Sequence, residues 1–377
     1  MVPTESNYKY FESGYDVDKL IGKELSEKLQ AADFTIFNLE FPLTDTFSPI
    51  AKCGPNLIAP TSTIAGLKAI NPHFFTLANN HIMDHGAKGL EETMRMLDQV
   101  GIAYAGVGLD LEHAQAAASH VVEQEGIRVG IYCCAEYEFS IADANTPGAN
   151  PFDPLESLDH VKTLKETCDY VIVLYHGGKE HYRYPSPYLQ KVCRKLVSKG
   201  ADLVVCQHSH CIGASEEWQE GSHQGKIIYG QGNFLFDRNE SKYWQTGLLI
   251  ELILNEKGAE IAYIPLCKIA ETVRLADSEI ASEILNAFEK RSEELKDSNL
   301  IERKYQEFAD SMLEGYLSTF AGKKSLLYRI CNKLSGYRLI KWSLKRKYGK
   351  AERLAIRNYV ECEAHRELLI RGLKNRE

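Results

Sequence analysis

YVIVLYHGGKEHYRYPSPYLQKVCRKLVSKGADLVVCQHSH, residues 170–210, carries the pattern from which the fold is read. Its opening run, residues 170–175, is short, β-branched and apolar on both faces, as the buried strands of a parallel sheet are. A helical pattern follows over about residues 189–198 and stops at Lys199-Gly200, a C-cap signal. A second apolar run, residues 203–206, repeats the first. Strand, helix and strand in this order predict a layered α/β domain.

Outward from this stretch the same kind of run recurs at residues 34–39 (FTIFNL), 74–77 (FFTL), 129–134 and 227–229. Between them lie helical patterns, notably residues 89–100, where Leu90, Met94, Leu97 and Val100 fall at helical spacing. Two alternating runs, 247–254 and 260–265, are separated by Asn-Glu-Lys-Gly and predict a β-hairpin. After Ala270 helical spacing takes over, in Ile280, Ile284 and Phe288, then Phe308, Met312 and Tyr316, then Leu326, Ile330 and Leu334. The expected division is therefore a domain over residues 1–270 and a helical C-terminal region over 271–377.

A chain of 377 residues exceeds the usual size of one hydrophobic core. Its 44% hydrophobic and 25% charged residues suit a soluble globular protein, and a net charge of −8 argues against nucleic-acid binding. Residues 315–351 reverse the balance, with ten Lys or Arg and no Asp or Glu. Two readings stand for this tail: a helix packed on the domain with a solvated basic face, or an amphipathic stretch over 323–350 in peripheral contact with an anionic membrane. Most of the ten cysteines sit inside apolar runs, and the N-terminus lacks the apolar segment of a secretory signal. The expectation is a reducing, cytoplasmic setting without disulfides, with membrane association only through the tail.

The chemistry is concentrated where apolar runs end. Asn38-Leu39-Glu40 closes the first, and Asn79-Asn80-His81 comes directly after the second. His176-Gly177-Gly178 and His208-Ser209-His210 come after the two runs of the opening stretch. In open α/β sheets the carboxyl ends of the strands share one edge, where ligands bind. Carboxylate, amide and imidazole groups converging there suit one or two divalent ions, Mn, Fe, Zn or Mg, rather than a soft metal. Each piece alone is unremarkable: a histidine after a strand is usually structural, and Gly-Gly there is usually a tight turn. It is their conjunction at four strand ends that favours a metal site.

These motifs, in the order NLE, ANNH with Asp84 and Gly86, HGG-x-E, GAD-LVV-x-x-HSH and YGQGNFLFD, resemble the CapA-type capsule (poly-γ-glutamate) biosynthesis family of the calcineurin-like metallophosphoesterases. The resemblance covers roughly residues 2–269. It implies a layered metallophosphatase-like β-sandwich flanked by helices, with the helical C-terminal region as an appendage. It also implies that Glu40 bridges two metals, that Asn80, His176 and His208 serve one of them and His210 the other, and that His81 stands near the leaving group as a general acid. Asp84, Glu180 and Asp202 are candidates to orient the histidines. The family opens with a strand ending in Gly-Asp, itself a metal ligand. Residues 3–8 (PTESNY) resemble the segment immediately after that dipeptide, so the corresponding Asp is expected either upstream of this sequence or lost together with its strand.

Lys179 and Arg183, on the loop after His176, are candidates to hold an anionic small molecule or polymer. Lys52 to Pro55 form a second candidate wall. The function implied is hydrolysis of a phosphoester or related anionic substrate. The rival readings are a non-catalytic scaffold or polymer-binding subunit of a polymer-synthesis complex, and a metal-dependent amide hydrolase acting on poly-γ-glutamate.

Overall fold

Three short strands, β1 (Ile36–Asn38), β2 (Phe74–Thr76) and β3 (Ala103–Ala105), pair in parallel in the order β1-β2-β3. The computed structural model describes residues 3–236, 241–255, 258–322, 330, 333–336 and 338–374. Next come β4 (Val107–Gly108), β5 (Ser119–Gln124), β6 (Ile127–Ala135), β7 (Gly148–Ala149), β8 (Tyr170–His176), β9 (Leu203–Gln207), β10 (Ser215–Glu220) and β11 (His223–Ile228). Six of these form one sheet in the order β10-β11-β9-β8-β6-β5, and β4 pairs with β7. The centre of that sheet, β6-β8-β9-β11, is parallel, while β5 and β10 are antiparallel edges. The hairpin expected after residue 246 is present as β12 (Thr246–Asn255) with β13 (Gly258–Ile269), and β14 (Thr272–Leu275) pairs onto β13.

Alternation along the central strands sends side chains to two separate cores. Ile131, Cys133, Ile172, Leu174, Leu203 and Val205 share one core with β1, β2 and the β12–β14 sheet. Tyr132, Cys134, Val171, Val173, Val204 and Cys206 share the other with helices Ser157–Thr167 and Pro187–Ser198. Helices Lys23–Ala31, Ile64–Ala69 and Gly86–Val100 add Leu25, Leu29, Leu67, Leu90 and Leu97 to the first core. The result is a β-sandwich flanked by helices, the architecture expected. Each fully buried leucine contributes about 2 kcal/mol.

The helices begin and end where local chemistry directs. Ser186 caps Pro187–Ser198 by accepting from the Leu189 amide, with proline at the first position. Gly101, in the left-handed conformation at φ 70°, closes Gly86–Val100.

Between β1 and β12 the first core opens into a groove of about 460 Å³, lined by Ile36, Phe37, Ile131, Leu174, Val205 and Leu252 and bordered by Lys28, Asp33 and Glu251.

The chain divides into two compact units, Met1–Ile301 and Glu302–Glu377, so the first extends well beyond the break expected at residue 270. Two features carry it there. β14 completes the β12–β13 sheet, and helix Ser278–Glu294 buries Ile284, Phe288 and Arg291. Phe288 lies edge-on to Tyr263 at 4.8 Å, and the Arg291 guanidinium donates to the carbonyls of Gly213 (2.7 Å) and Ile212 (3.2 Å). In the second unit Leu317, Leu344 and Tyr348 form a small core. Of the basic stretch, residues 323–329, 331–332 and 337 lie outside the described residues, and with them Leu326 of the expected helical pattern. Among the described residues no helix is long and apolar enough to cross a membrane.

Candidate metal centre

Four parallel strands deliver the candidate ligands to one edge. His176 is the last residue of β8, and it is in register with Gln207 of β9, so His208 comes one residue further along. Glu40 stands two residues past the end of β1, and Asn80 four past the end of β2. Ligand atoms of Glu40, His176 and His208 all lie within 4.8 Å of one another. Asn80 joins them, its Oδ1 lying 3.0 Å from Nε2 of His176. Glu40 and His176 are buried at 6% and 2% exposure.

The buried polar atoms are accounted for with two exceptions in this cluster. Asn38 Nδ2 donates to Oε2 of Glu40 at 3.0 Å and lies 3.3 Å from Nδ1 of His176. Asn79 Nδ2 in turn donates to Asn38 Oδ1 and to the Leu39 carbonyl. Glu40 Oε1 and His208 Nδ1 are buried without a hydrogen-bond partner. A buried polar atom without a hydrogen bond costs about 1–3 kcal/mol, a cost that a cation held between Glu40 and His208 would offset.

Electrostatics agree with that fit. Burial pushes the His176 imidazole well below its usual range and the His208 imidazole down to about 3, so both rings are neutral, the form that binds metal. Burial would raise the Glu40 carboxyl, but the charge that His176, His210 and His81 carry when protonated lowers it below its ordinary value. His208 and His210 also hold positive φ angles, 85° and 53°, an uncommon conformation for residues other than glycine. Gly230 makes room for this turn: a Cβ there would meet Ser209 Oγ at 2.7 Å and the Cys211 carbonyl at 2.8 Å.

His210 is set apart from the cluster. Its Nδ1 lies 2.9 Å from Asn233 Oδ1, and its ring stacks on Trp244 at 4.2 Å. A cavity of about 100 Å³ nevertheless touches Glu40, His208 and His210 together. His81 is oriented from behind by Asp84, whose Oδ2 lies 2.6 Å from its Nδ1. Asp84 also accepts from the Leu57 amide at 2.6 Å and pairs with Lys52, whose side chain is only 3% exposed. Lys52 Nζ is 3.1 Å from His81 Nδ1.

The remaining expected residues lie elsewhere. Asp202 caps the strands, accepting from the Val171 amide and pairing with Lys165. Glu180 is exposed beside His181. Lys179 is exposed and close enough to help depress the His208 imidazole. Arg183 donates to the Ile212 carbonyl at 3.0 Å and lies over the Tyr243 ring, so its guanidinium is largely committed to the loop. Sequence reasoning missed Asn38, Asn233, Trp244 and the role of Lys52. Asn38 and Asn233 were legible as members of NLE and GQGNFLFD, whereas Trp244 carried no local signal.

Fold and centre together define a layered α/β protein with a buried carboxylate–histidine cluster of metal-ligand type at its strand ends. Residues 1–238 match the family described as bacterial capsule synthesis protein PGA_cap, and the chain belongs to that family. It is 27% identical to the capsule biosynthesis protein CapA of Bacillus anthracis, over 63% of this chain and 59% of that protein. It is 26% identical to the PGA biosynthesis protein CapA of Bacillus subtilis, over 58% of this chain and 57% of that protein. A probable polyglutamine synthesis accessory protein of Mycobacterium tuberculosis is 29% identical, over 55% of this chain and 56% of that protein. The chain thus spans less than two thirds of the length of these curated relatives. Among solved structures, the NAD nucleotidase of Haemophilus influenzae aligns with 67% of this chain and 54% of that chain, at 15% identity and a TM-score of 0.39.

Proposed function

We propose that this chain is a metal-dependent hydrolase acting on a phosphoester or a related anionic substrate in capsule biosynthesis. The observation that carries the reading is the meeting of Glu40, His176 and His208 within 4.8 Å, with Glu40 Oε1 and His208 Nδ1 buried and without a hydrogen-bond partner. These residues would hold a divalent cation, with Asn80 beside them. Such an ion supplies Lewis-acid polarisation of a phosphoryl oxygen and acidifies bound water.

The chain's own groups do the rest. Neutral imidazoles complete the site without adding charge, so a cation balanced mainly by one carboxylate leaves the pocket positive and attractive to anions. Asp84 fixes the His81 ring through Nδ1 and leaves Nε2 to meet a leaving oxygen and deliver a proton. Lys179, exposed on the loop after His176, adds positive charge at the entrance.

A second reading is cleavage of an amide in an anionic polymer such as poly-γ-glutamate. It is supported by the names of the relatives and by the fact that the same centre would polarise an amide carbonyl. The test is elemental analysis of the purified chain and its His208→Ala variant, beside turnover of aryl phosphomonoesters, phosphodiesters and γ-glutamyl peptides. Metal lost in the variant, together with phosphoester turnover, is the expected result. Metal with peptide turnover alone favours the second reading, and metal with no turnover favours a polymer-binding subunit. No metal after incubation with Mn²⁺ or Zn²⁺ overturns the proposal.

A further inference from the structure

The second unit has a charge opposite to that of the rest of the chain. Residues 302–377 contain eighteen Lys or Arg against nine Asp or Glu, in a protein whose net charge is −8. Helix Arg338–Lys347 (RLIKWSLKRK) shows how that charge is displayed. Leu344 is buried at 4% exposure and, with Tyr348, packs on Leu317. Trp342 points away from that core at 60% exposure, and the Arg346 guanidinium lies over its ring at 5.6 Å. Arg338, Lys341 and Lys345 are exposed on the same helix, while Lys347 lies over the Tyr348 ring at 5.6 Å.

Two further helices complete the unit, Lys350–Glu361 and Glu363–Lys374, each 12 residues long and neither with a buried residue. Helices this short are marginal in water unless an apolar face is covered. Yet Tyr359, Leu368 and Leu373 are 51%, 72% and 57% exposed. The apolar surface of this unit is therefore much larger than its own small core covers.

A tryptophan ringed by lysine and arginine, with further exposed apolar side chains, has the chemistry of an interfacial helix: the indole enters the headgroup boundary and the cations meet phosphate. Charge complementarity selects an anionic bilayer over a second copy of this unit, because two such basic faces repel. It selects a bilayer over nucleic acid because phosphate backbones offer nothing to the exposed leucines. We propose that the face of helix Arg338–Lys347 carrying Trp342 docks this protein on an anionic lipid surface. The proposal is independent of what the metal centre does.

The test is co-sedimentation of the full chain with vesicles of phosphatidylglycerol mixed with phosphatidylcholine, and with phosphatidylcholine alone, at low and high salt. Binding is expected only to the mixed vesicles and should weaken as salt rises. Replacing Lys345 and Arg346 by Gln should lower affinity about thirtyfold, from roughly 1 kcal/mol per basic residue at such a surface. Trp342→Ala should also weaken binding while leaving the circular dichroism unchanged, since the side chain is exposed. Equal binding to both vesicle types, no binding to the mixed vesicles, or affinity indifferent to all three substitutions overturns the proposal. A Trp342-dependent dimer in sedimentation velocity, or retention on an oligonucleotide without vesicle binding, also overturns it and names the other occupant.

Discussion

Nε2 of His176 lies 3.0 Å from Oδ1 of Asn80, although 96 positions separate the two residues in sequence. One ends a strand of the large sheet and the other lies just past a strand of the small one, so their contact ties the two sheets together at the candidate centre. Asn80→Ala removes the amide oxygen and leaves the imidazole in place. Metal affinity, measured by competition with a chelating dye, should fall at least about tenfold. Unchanged affinity would remove Asn80 from the ligand set.

Lys52 and Asp84 form an ion pair with side-chain exposures of 3% and 0%. Removing one partner of a buried pair leaves the other charged and uncompensated, at a cost of about 3–5 kcal/mol. Lys52→Met should lower urea stability by about that much, in spite of its apolar replacement. A loss below about 1 kcal/mol would show that the Leu57 amide and His81 suffice for Asp84.

His85 is 1% exposed, and its Nδ1 accepts from the Ser48 amide at 2.9 Å, which requires an unprotonated nitrogen. Burial lowers its pKa below the ordinary 6.5. The unfolded chain therefore takes up this proton at higher pH than the folded chain does. Its contribution to stability is complete above about pH 6.5 and is lost as pH falls below it, by up to about 1.4 kcal/mol per pH unit. The ring resonances of His85 should titrate at lower pH than those of an exposed histidine, and stability should decline less steeply with acid in His85→Asn.

Gly230 has φ 124°, and the nearest atoms to an added Cβ belong to Ser209 and Cys211 on either side of His210. Gly230→Ala should displace the 208–210 turn, costing about 2 kcal/mol in stability and weakening metal binding as well. Gly221→Ala is the control. It too has a positive φ, 65°, but no neighbouring atom within 4 Å, so it should lose stability without losing metal.

The groove of about 460 Å³ between β1 and β12 leaves apolar side chains half-covered. Val129 lines it and is only half-buried. Val129→Phe should therefore cover more of it and raise the thermal midpoint, by about 1 kcal/mol of stability. A lower midpoint would mean that the groove has no room for the larger ring.

Much of this was legible in one dimension. The central strands announced themselves because both their faces are buried, so residues 170–175 and 203–206 are apolar throughout. The candidate ligands were legible because each comes within a few residues of the end of such a run, and strand order alone sends them to one edge. Edge strands were not legible: β5 and β10 (SHVVEQ and SEEWQE) are half polar, since water meets one side of them. The end of the compact unit at Ile301 was not legible, because helix Ser278–Glu294 has the same periodicity whether it packs on its own sheet or on other helices.

By itself, then, the sequence determined the layered α/β class, the family and a set of candidate metal-ligand residues, because each is written in local periodicity or contiguous motifs. Only the tertiary structure decided which of those residues meet. It grouped Glu40, His176 and His208, turned His210 toward Asn233 and Trp244, committed Arg183 to a backbone carbonyl and buried Lys52 against Asp84. These are contacts between segments far apart in the chain, and their geometry depends on how two sheets pack, which no local pattern encodes.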